Sequence, residues 1–268
     1  MARHPKRRQA GRRSPFAAAA LIGIGLLLTG GIYAGASAAM AATSDNTAPT
    51  ASMGNADNGK KLFQANCATC HGLNLQGTEN GPSLVGVGEL AVHFQVSTGR
   101  MPLQAQGPQA PQKPVQFTEA QIADIGAFVQ SVAPGPSYPD NRIIDGQGDV
   151  ARGAELFRIN CAMCHNVAAA GGALTEGKYA PNIHTTSALN IYAAMVTGPQ
   201  NMPVFNNMNL TPEDKRDIIS SLLWLQQNES PGGYGLGDLG PVSEGLFIWI
   251  FGIGTLIAVT VWITAKSN

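Results

Sequence analysis

Two long uncharged stretches of apolar residues lie near the ends of the chain, at residues 16–42 and 245–264. The second stretch has twenty residues, and a helix of that length reaches about 30 Å, the thickness of the hydrocarbon core of a membrane. Trp249 and Trp262 lie toward its two ends, where indole rings favour the membrane interface. A buried core helix is the alternative, but a soluble helix normally has a polar face. The pattern therefore predicts a transmembrane helix over residues 244–264.

The first stretch follows six cations within the first thirteen residues, which is typical of a segment that directs the chain to the membrane. Small residues at 36–38 and 40–42 resemble signal-peptide cleavage sites, whereas 27 uncharged residues exceed the usual apolar core of a signal peptide. Residues 1–44 are therefore predicted to be either a cleaved signal or a retained anchor.

Between these stretches, two segments have the apolar period of a helix. Apolar residues recur every three or four positions after Thr118 and again after Thr211, and each threonine lies where an N-cap is expected. The recurring residues are Ile122, Ile125, Phe128 and Val129 in the first segment, and Ile218, Leu222, Leu223 and Leu225 in the second. Residues 72–88 and 171–181 have neither helical period nor strand alternation. The pattern predicts two amphipathic helices joined by loop-rich segments.

An internal repeat organises the middle of the chain. Residues 59–71 reappear 94 positions later, with eight of thirteen residues identical and no gap, and a duplicated domain is the simplest cause. The predicted division is a first domain at 52–133, a linker at 134–148, a second domain at 149–228 and a Gly/Pro-rich linker at 229–243. About 80 residues with few helices form a small core, so each domain is expected to need a stabilising group such as a covalently held apolar cofactor.

Composition and charge exclude several classes of protein. Charged residues make up 13% of the chain, about half the usual fraction, which excludes a disordered chain, a coiled coil and a strongly basic nucleic-acid binder. Residues 45–244 contain seventeen acidic and ten basic residues, so this region is acidic whereas the leader is basic. The four cysteines are too few for a disulfide scaffold and fall in two pairs of identical spacing.

Each cysteine pair belongs to a C-x-x-C-H motif, the attachment pattern of c-type haem. The motifs consist of Cys67, Cys70 and His71 in the first copy, and of Cys161, Cys164 and His165 in the second. In such motifs the thiols form thioethers with the haem vinyl groups and the histidine is an axial iron ligand. A redox C-x-x-C would need a βαβ context, and a four-cysteine zinc site has no need of the histidines. The sequence therefore predicts two covalently bound haem c groups.

The second axial ligand is predicted to be a methionine in each copy. Met101 and Met202 each follow a Thr-Gly pair, precede a proline, and lie between the haem motif and the last helix of their copy. Thioether ligation raises the reduction potential of a haem. Met195 and Met208 are the competitors of Met202, whereas Met163 lies inside the second motif and is poorly placed to reach the opposite haem face.

Two histidines offer an alternative to methionine ligation. His93 and His184 would give low-potential bis-histidine centres, but they do not occupy equivalent places in the two copies. Both are therefore predicted to be structural or surface residues.

With these motifs the two copies resemble class I cytochrome c domains. The whole layout resembles the dihaem cytochrome c subunits of actinobacterial menaquinol–cytochrome c reductase, the cytochrome bcc complex. The resemblance implies a mainly α fold with two tandem class I cytochrome c domains, one C-terminal transmembrane helix and an N-terminal hydrophobic signal or anchor segment. It also implies that each haem-motif histidine bonds a carbonyl in a proline loop, at residues 81–84 and 180–183. Aromatic residues are then expected to pack the helices around the haem edge: Phe63, Phe128, Phe157 and Trp224.

The resemblance also implies a function. Electrons would pass from the Rieske iron–sulfur protein through the two haems to a terminal cytochrome c oxidase, with cytochrome b as a further partner and no independent substrate chemistry. The subunit would then be an enzyme only as part of the quinol-oxidising translocase. The haem domains would lie outside the plasma membrane, with both termini cytoplasmic if the leader is retained.

Two other functions remain open, namely a membrane-anchored dihaem carrier and a cytochrome subunit of another oxidase or dehydrogenase. A haem gas sensor is disfavoured, because two six-coordinate sites leave no open position for a gas.

Overall fold

The computed structural model describes residues 23–25, 27–28, 54–228 and 241–265. Residues 23–25 and 27–28 are helical. The rest of the predicted leader, and most of the predicted linker at 229–243, lie outside the described residues, and with them the choice between signal and anchor.

The first copy of the repeat is built from four helices. They are α1 (Ala56–Asn66), α2 (Ala68–His71), α3 (Gly88–Ser97) and α4 (Glu119–Val132). Asn55 caps α1 with its side chain, which accepts hydrogen bonds from the backbone of Asp57 and Asn58. Helix α1 crosses α4 at Gly59, where an added Cβ would lie 1.8 Å from the carbonyl oxygen of Asp124. The absence of a side chain at Gly59 therefore permits the close crossing.

The second copy repeats this arrangement. Its helices are α5 (Val150–Asn160), α6 (Ala162–His165), α7 (Ala188–Thr197) and α8 (Pro212–Gln227). Helix α5 crosses α8 at Gly153, where an added Cβ would lie 1.9 Å from the carbonyl oxygen of Asp217. Between α6 and α7, strands β1 (Gly172–Ala173) and β2 (Tyr179–Ala180) form an antiparallel pair. This pair is too short to produce a detectable alternation in the sequence.

The two threonine caps are confirmed. Thr118 accepts a hydrogen bond from the backbone of Gln121, whose side chain accepts one from the backbone of Thr118. Thr211 and Asp214 form the same reciprocal pair at the start of α8. Each capping box satisfies two backbone donors that helix geometry leaves without partners.

The cores of the two copies meet through helix α3. Leu90 and Phe94 of α3 are buried in the apolar cluster of the second copy, together with Ile144 from the segment between the copies. Helix α3 lies against α7, and Ser97 Oγ donates a hydrogen bond to Asn190 Oδ1 at 3.2 Å. Neither α3 nor α7 was predicted from the sequence. Because both are buried on more than one side, they lack the polar face that makes a helix recognisable.

The C-terminal segment is one continuous helical stretch. It consists of α9 (Pro241–Phe247), a π-helical part (Ile248–Ile253) and α10 (Gly254–Ala265). Among the residues that the structure describes, Ser243–Ala265 is the one helix long and apolar enough to cross a membrane. Trp249 and Trp262 are exposed within it. This agrees with the predicted membrane helix.

Candidate functional site

Each C-x-x-C-H motif forms a single helical turn after a longer helix. Helix α1 ends at Asn66 and is followed by Cys67. The backbone N–H of Cys67 donates to Phe63 O at 2.8 Å, and His71 N donates to Cys67 O at 2.9 Å. The second motif has the same bonds from Cys161 and His165, at 2.8 and 2.9 Å. The first cysteine of each motif, Cys67 or Cys161, joins the longer helix to the short one. The two have nearly identical backbone angles, φ −124° and ψ −31° in one copy and φ −124° and ψ −32° in the other. The two thiols and the imidazole of each motif therefore come from one compact turn.

Both motif histidines are oriented by a carbonyl in a proline loop, as predicted. His71 Nδ1 lies 2.8 Å from Pro82 O, and His165 Nδ1 lies 3.1 Å from Pro181 O. Because a carbonyl oxygen can only accept, each Nδ1 carries the proton and donates it. The other nitrogen, Nε2, then keeps its lone pair and is a competent metal ligand.

The first thiol of each motif has a raised pKa. Burial, with a smaller contribution from Cys70, raises the pKa of Cys67 to about 11, and burial with Cys164 does the same for Cys161. Reactive C-x-x-C thiols instead have a lowered pKa. No group of three or more His, Cys, Asp or Glu side chains suited to a metal ion occurs in the described part of the chain. The raised pKa of Cys67 and of Cys161 therefore does not fit a redox C-x-x-C pair.

A cavity opens beside the second motif. Cys161, Cys164 and His165 line it, together with Met195 and Met202. The remaining wall is largely apolar and includes Phe157, Phe205, Ile218 and Leu222. A haem c site needs two thiols for the covalent bonds, an imidazole and a thioether as iron ligands, and apolar walls. The residues present therefore fit this group.

Comparison with known proteins gives the family. Residues 56–133 match the model of cytochrome c, and residues 148–220 match that of subunit III of cbb3-type cytochrome c oxidase. The cytochrome bc1 complex cytochrome c subunit of Corynebacterium efficiens is 49% identical over 225 residues, covering 78% of this chain and 76% of that protein. Its counterpart in Mycobacterium tuberculosis is 50% identical over 216 residues, covering 78% and 77%. This chain belongs to the cytochrome bc1 complex cytochrome c subunits.

The family confirms the main predictions from the sequence. The repeat and the hydropathy pattern indicated a duplicated domain and one apolar C-terminal helix, and the resemblance implied a bc complex subunit with two cytochrome c domains and a mainly helical fold. A third relative, from Corynebacterium diphtheriae, is 44% identical over 227 residues, covering 78% of this chain and 80% of that protein. The family implies covalently bound haem c, a role in electron transfer and association with a membrane.

The methionines of the two cytochrome c domains occupy comparable places. Gln95 O in α3 accepts a hydrogen bond from Met101 N at 2.9 Å, and Met195 O in α7 accepts one from Phe205 N at 2.8 Å. Met195 lies inside α7, whereas Met202 follows α7 as Met101 follows α3. Met101 packs against the core of the first domain.

The other competitors lack a suitable position. Met163 also lines the cavity, but it lies within the motif turn and is 94% exposed. Met208 is 94% exposed as well. His93 is buried, and its Nδ1 lies 3.3 Å from Tyr138 Oη, while burial lowers its pKa to about 4. His184 directs Nε2 at the carbonyl of Ala168. Both histidines have structural partners, as predicted.

The expectation for the aromatic residues holds in three cases and is wrong for Trp224. The rings of Phe63 and Phe128 lie 5.3 Å apart in the first core, and Phe157 is buried in the second. Trp224 is 50% exposed, because it lies on the outer face of α8, whose inner face is formed by Ile218 and Leu222.

Sequence reasoning also missed a buried cation. Lys215 of α8 is fully buried, four residues after the capping Thr211, where the first domain has Ile122 four residues after Thr118. Its Nζ donates hydrogen bonds to Asn207 Oδ1 at 2.9 Å and to the carbonyl of Leu210. These acceptors make the burial tolerable, and nothing in the local apolar period indicates them.

Proposed function

We propose that this chain is the membrane-anchored dihaem cytochrome c subunit of a menaquinol–cytochrome c reductase. It would receive electrons from the Rieske iron–sulfur protein and relay them to a terminal cytochrome c oxidase. Haem c, when bound, supplies a one-electron iron couple at each site. The observation that carries the proposal is the pair of equivalent C-x-x-C-H turns, each with its histidine fixed by a proline-loop carbonyl.

The chain's own residues have defined roles in this proposal. Thioether attachment falls to Cys67 and Cys70 in the first domain, and to Cys161 and Cys164 in the second. Axial ligation of iron falls to His71 and Met101, and to His165 and Met202. The soft methionine sulfur favours reduced iron and so raises the potential. Apolar walls around the second site exclude water.

A relay needs two sites held at a constant separation. Helix α3 of the first domain is packed against α7 and contributes Leu90 and Phe94 to the core of the second domain. The segment between the domains is packed as well, since Ile144 is buried in the same core. The two sites therefore belong to one packed pair of domains. We propose the domain bounds 52–133 and 149–228 from the sequence repeat.

Membrane attachment follows from the C-terminal helix. Lys266 directly follows this helix, and positive residues favour the cytoplasmic side. Both haem domains would then lie on the extracytoplasmic side, and both termini would be cytoplasmic if the leader is retained. The proposed partners are the cytochrome b and Rieske subunits, the oxidase and the membrane. The chain would have an enzymatic role only as the electron-transfer subunit of this translocase.

Purification of the tagged full-length chain from membranes in mild detergent tests the proposal. We expect two covalent haems per chain by pyridine haemochrome assay, together with b-type haem, a Rieske protein and oxidase subunits identified by mass spectrometry. A variant with both Cys161→Ala and Cys164→Ala should retain one covalent haem, whereas the exposed-site control Met208→Leu should retain two. Recovery of a dihaem chain without cytochrome b would contradict the complex and support an anchored carrier.

A further inference from the structure

The first domain forms part of the wall of the cavity beside the second motif. Gln109 of the first domain and Tyr179 exchange two hydrogen bonds, from Gln109 Nε2 to Tyr179 O at 2.9 Å and from Tyr179 N to Gln109 Oε1 at 2.8 Å. Ala110 N donates to Gln200 Oε1 at 3.2 Å. Through these contacts the segment after Met101 lies along the second site. The first-domain residues that line the cavity are Phe94, Thr98, Arg100, Gln109 and Gln112.

Arg100 is the unusual member of this wall. Only 6% of its surface is exposed, and its guanidinium lies 5.1 Å from the ring centre of Phe94. Its Nη1 is buried and has no hydrogen-bond partner among the residues that the structure describes. Desolvation lowers the pKa of Arg100. A buried cation without a partner is costly, and proteins normally pair such a group with an anion.

The described residues around the cavity do not provide that anion. The described residues that line the cavity include no aspartate or glutamate, and Arg100 is their one lysine or arginine. Other polar side chains of the lining, such as Gln112 and Asn190, are neutral. The missing negative charge must therefore come from the molecule that fills the cavity. A haem carries two propionate carboxylates, and the planar guanidinium fork matches a carboxylate with two parallel hydrogen bonds.

We propose that Arg100 of the first domain binds a propionate of the haem held by the second domain. The second haem would then be bound across the domain interface, by its own cysteines and by an arginine adjacent to Met101, the proposed iron ligand of the first site. A cation beside a haem favours the reduced state, because reduction removes one positive charge from the iron. Arg100 is accordingly expected to raise the potential of the second haem. The inference rests on the proposed binding of two haems.

Spectroelectrochemical titration of the full-length dihaem protein provides the test. Arg100→Gln removes the charge, Arg100→Lys retains it, and Arg158→Gln removes an exposed charge from the helix before the second motif. Each is measured alone and together with Met202→His, which lowers the potential of the second haem and so assigns its step. Arg100→Gln should raise the ratio of oxidised to reduced second haem about tenfold at fixed potential, a shift of 59 mV for one electron. Arg100→Lys should change the ratio less, and Arg158→Gln least.

Three outcomes would overturn the inference. They are an unchanged second step in Arg100→Gln, a shift confined to the first step, and an equal shift in Arg158→Gln. If Arg100→Gln does not accumulate, Arg100→Lys decides the question through the resonance Raman propionate mode, which must differ from that of the wild type because the two-bond contact is lost. The wild-type haem count is a separate reading: one haem per chain contradicts the proposed function itself.

Discussion

The close crossing of the first and last helix in each domain makes a sharp prediction for Gly153→Ala. An ideal Cβ at Gly153 would lie 1.9 Å from the carbonyl oxygen of Asp217, 2.3 Å from its carbonyl carbon and 2.9 Å from Ile218 N. Carbon atoms normally approach to about 3.5–4.0 Å. All three atoms belong to the backbone of α8, so no side-chain rotation relieves the contact. The helices must move apart by roughly 1 Å or more.

Two opposing free-energy changes decide whether Gly153→Ala stabilises or destabilises the protein. Alanine is better than glycine in a helix interior by about 1 kcal/mol, and this favours the variant. Overpacking costs about 1–3 kcal/mol when side chains can adjust, and the upper end applies because the obstacle is backbone. We expect a net destabilisation of about 1–2 kcal/mol. At about 4–8 °C per kcal/mol for a domain of this size, the unfolding midpoint falls by roughly 5–15 °C.

The assay is thermal unfolding of the full-length haem-loaded protein, followed by far-ultraviolet circular dichroism in detergent. Gly126→Ala is the matched control, because its Cβ would meet Glu89 Cβ at 3.3 Å and no backbone atom closer than 3.5 Å. Gly59→Ala should behave as Gly153→Ala does, since its Cβ would lie 1.8 Å from Asp124 O. A Gly153→Ala protein at least as stable as Gly126→Ala would refute the reasoning.

Three further predictions concern pH, capping and a partly buried ion pair. Burial lowers the pKa of His93 from 6.5 to about 4. As the pH falls from about 6.5 to about 4, the unfolded chain therefore binds the His93 proton before the folded chain does, and the stability decreases. His93→Asn should remove about 2 kcal/mol of the stability difference between pH 7 and pH 5 in urea titrations, and an unchanged difference would contradict this. Thr118→Ala should cost about 1 kcal/mol by loss of the capping box, whereas Thr118→Ser should cost much less. Asp217→Asn, which loses the 2.7 Å bond from Arg152 Nη1, should cost about 1–2 kcal/mol in the same assay. Asp140→Asn is the control, because Asp140 forms an exposed pair with Arg142 at 3.6 Å, and it should cost under about 0.5 kcal/mol. Equal losses of stability in Asp217→Asn and Asp140→Asn would show that burial of the pair is irrelevant.

Features that depend on neighbours along the chain were predictable. The two cysteines and the histidine of each C-x-x-C-H motif lie within five residues, so a single helical turn brings them together. The threonine caps of α4 and α8 depend on the residue three positions later. The membrane helix follows from its length and apolar composition alone. The proline loops were reached only through the resemblance to a family, since the motif histidines and the carbonyls are 11 and 16 residues apart.

The tertiary structure decided everything that depends on distant partners. Helices α3 and α7 escaped prediction because burial against each other and against the core removes the polar face on which an amphipathic pattern depends. Lys215 is buried because acceptors five and eight residues earlier surround its ammonium group. Arg100 lies beside the second site because the chain after Met101 bonds to residues 70 or more positions later. Local spacing determines which chemical groups share a turn, whereas packing of distant segments determines which groups are buried and which charge is left without a partner.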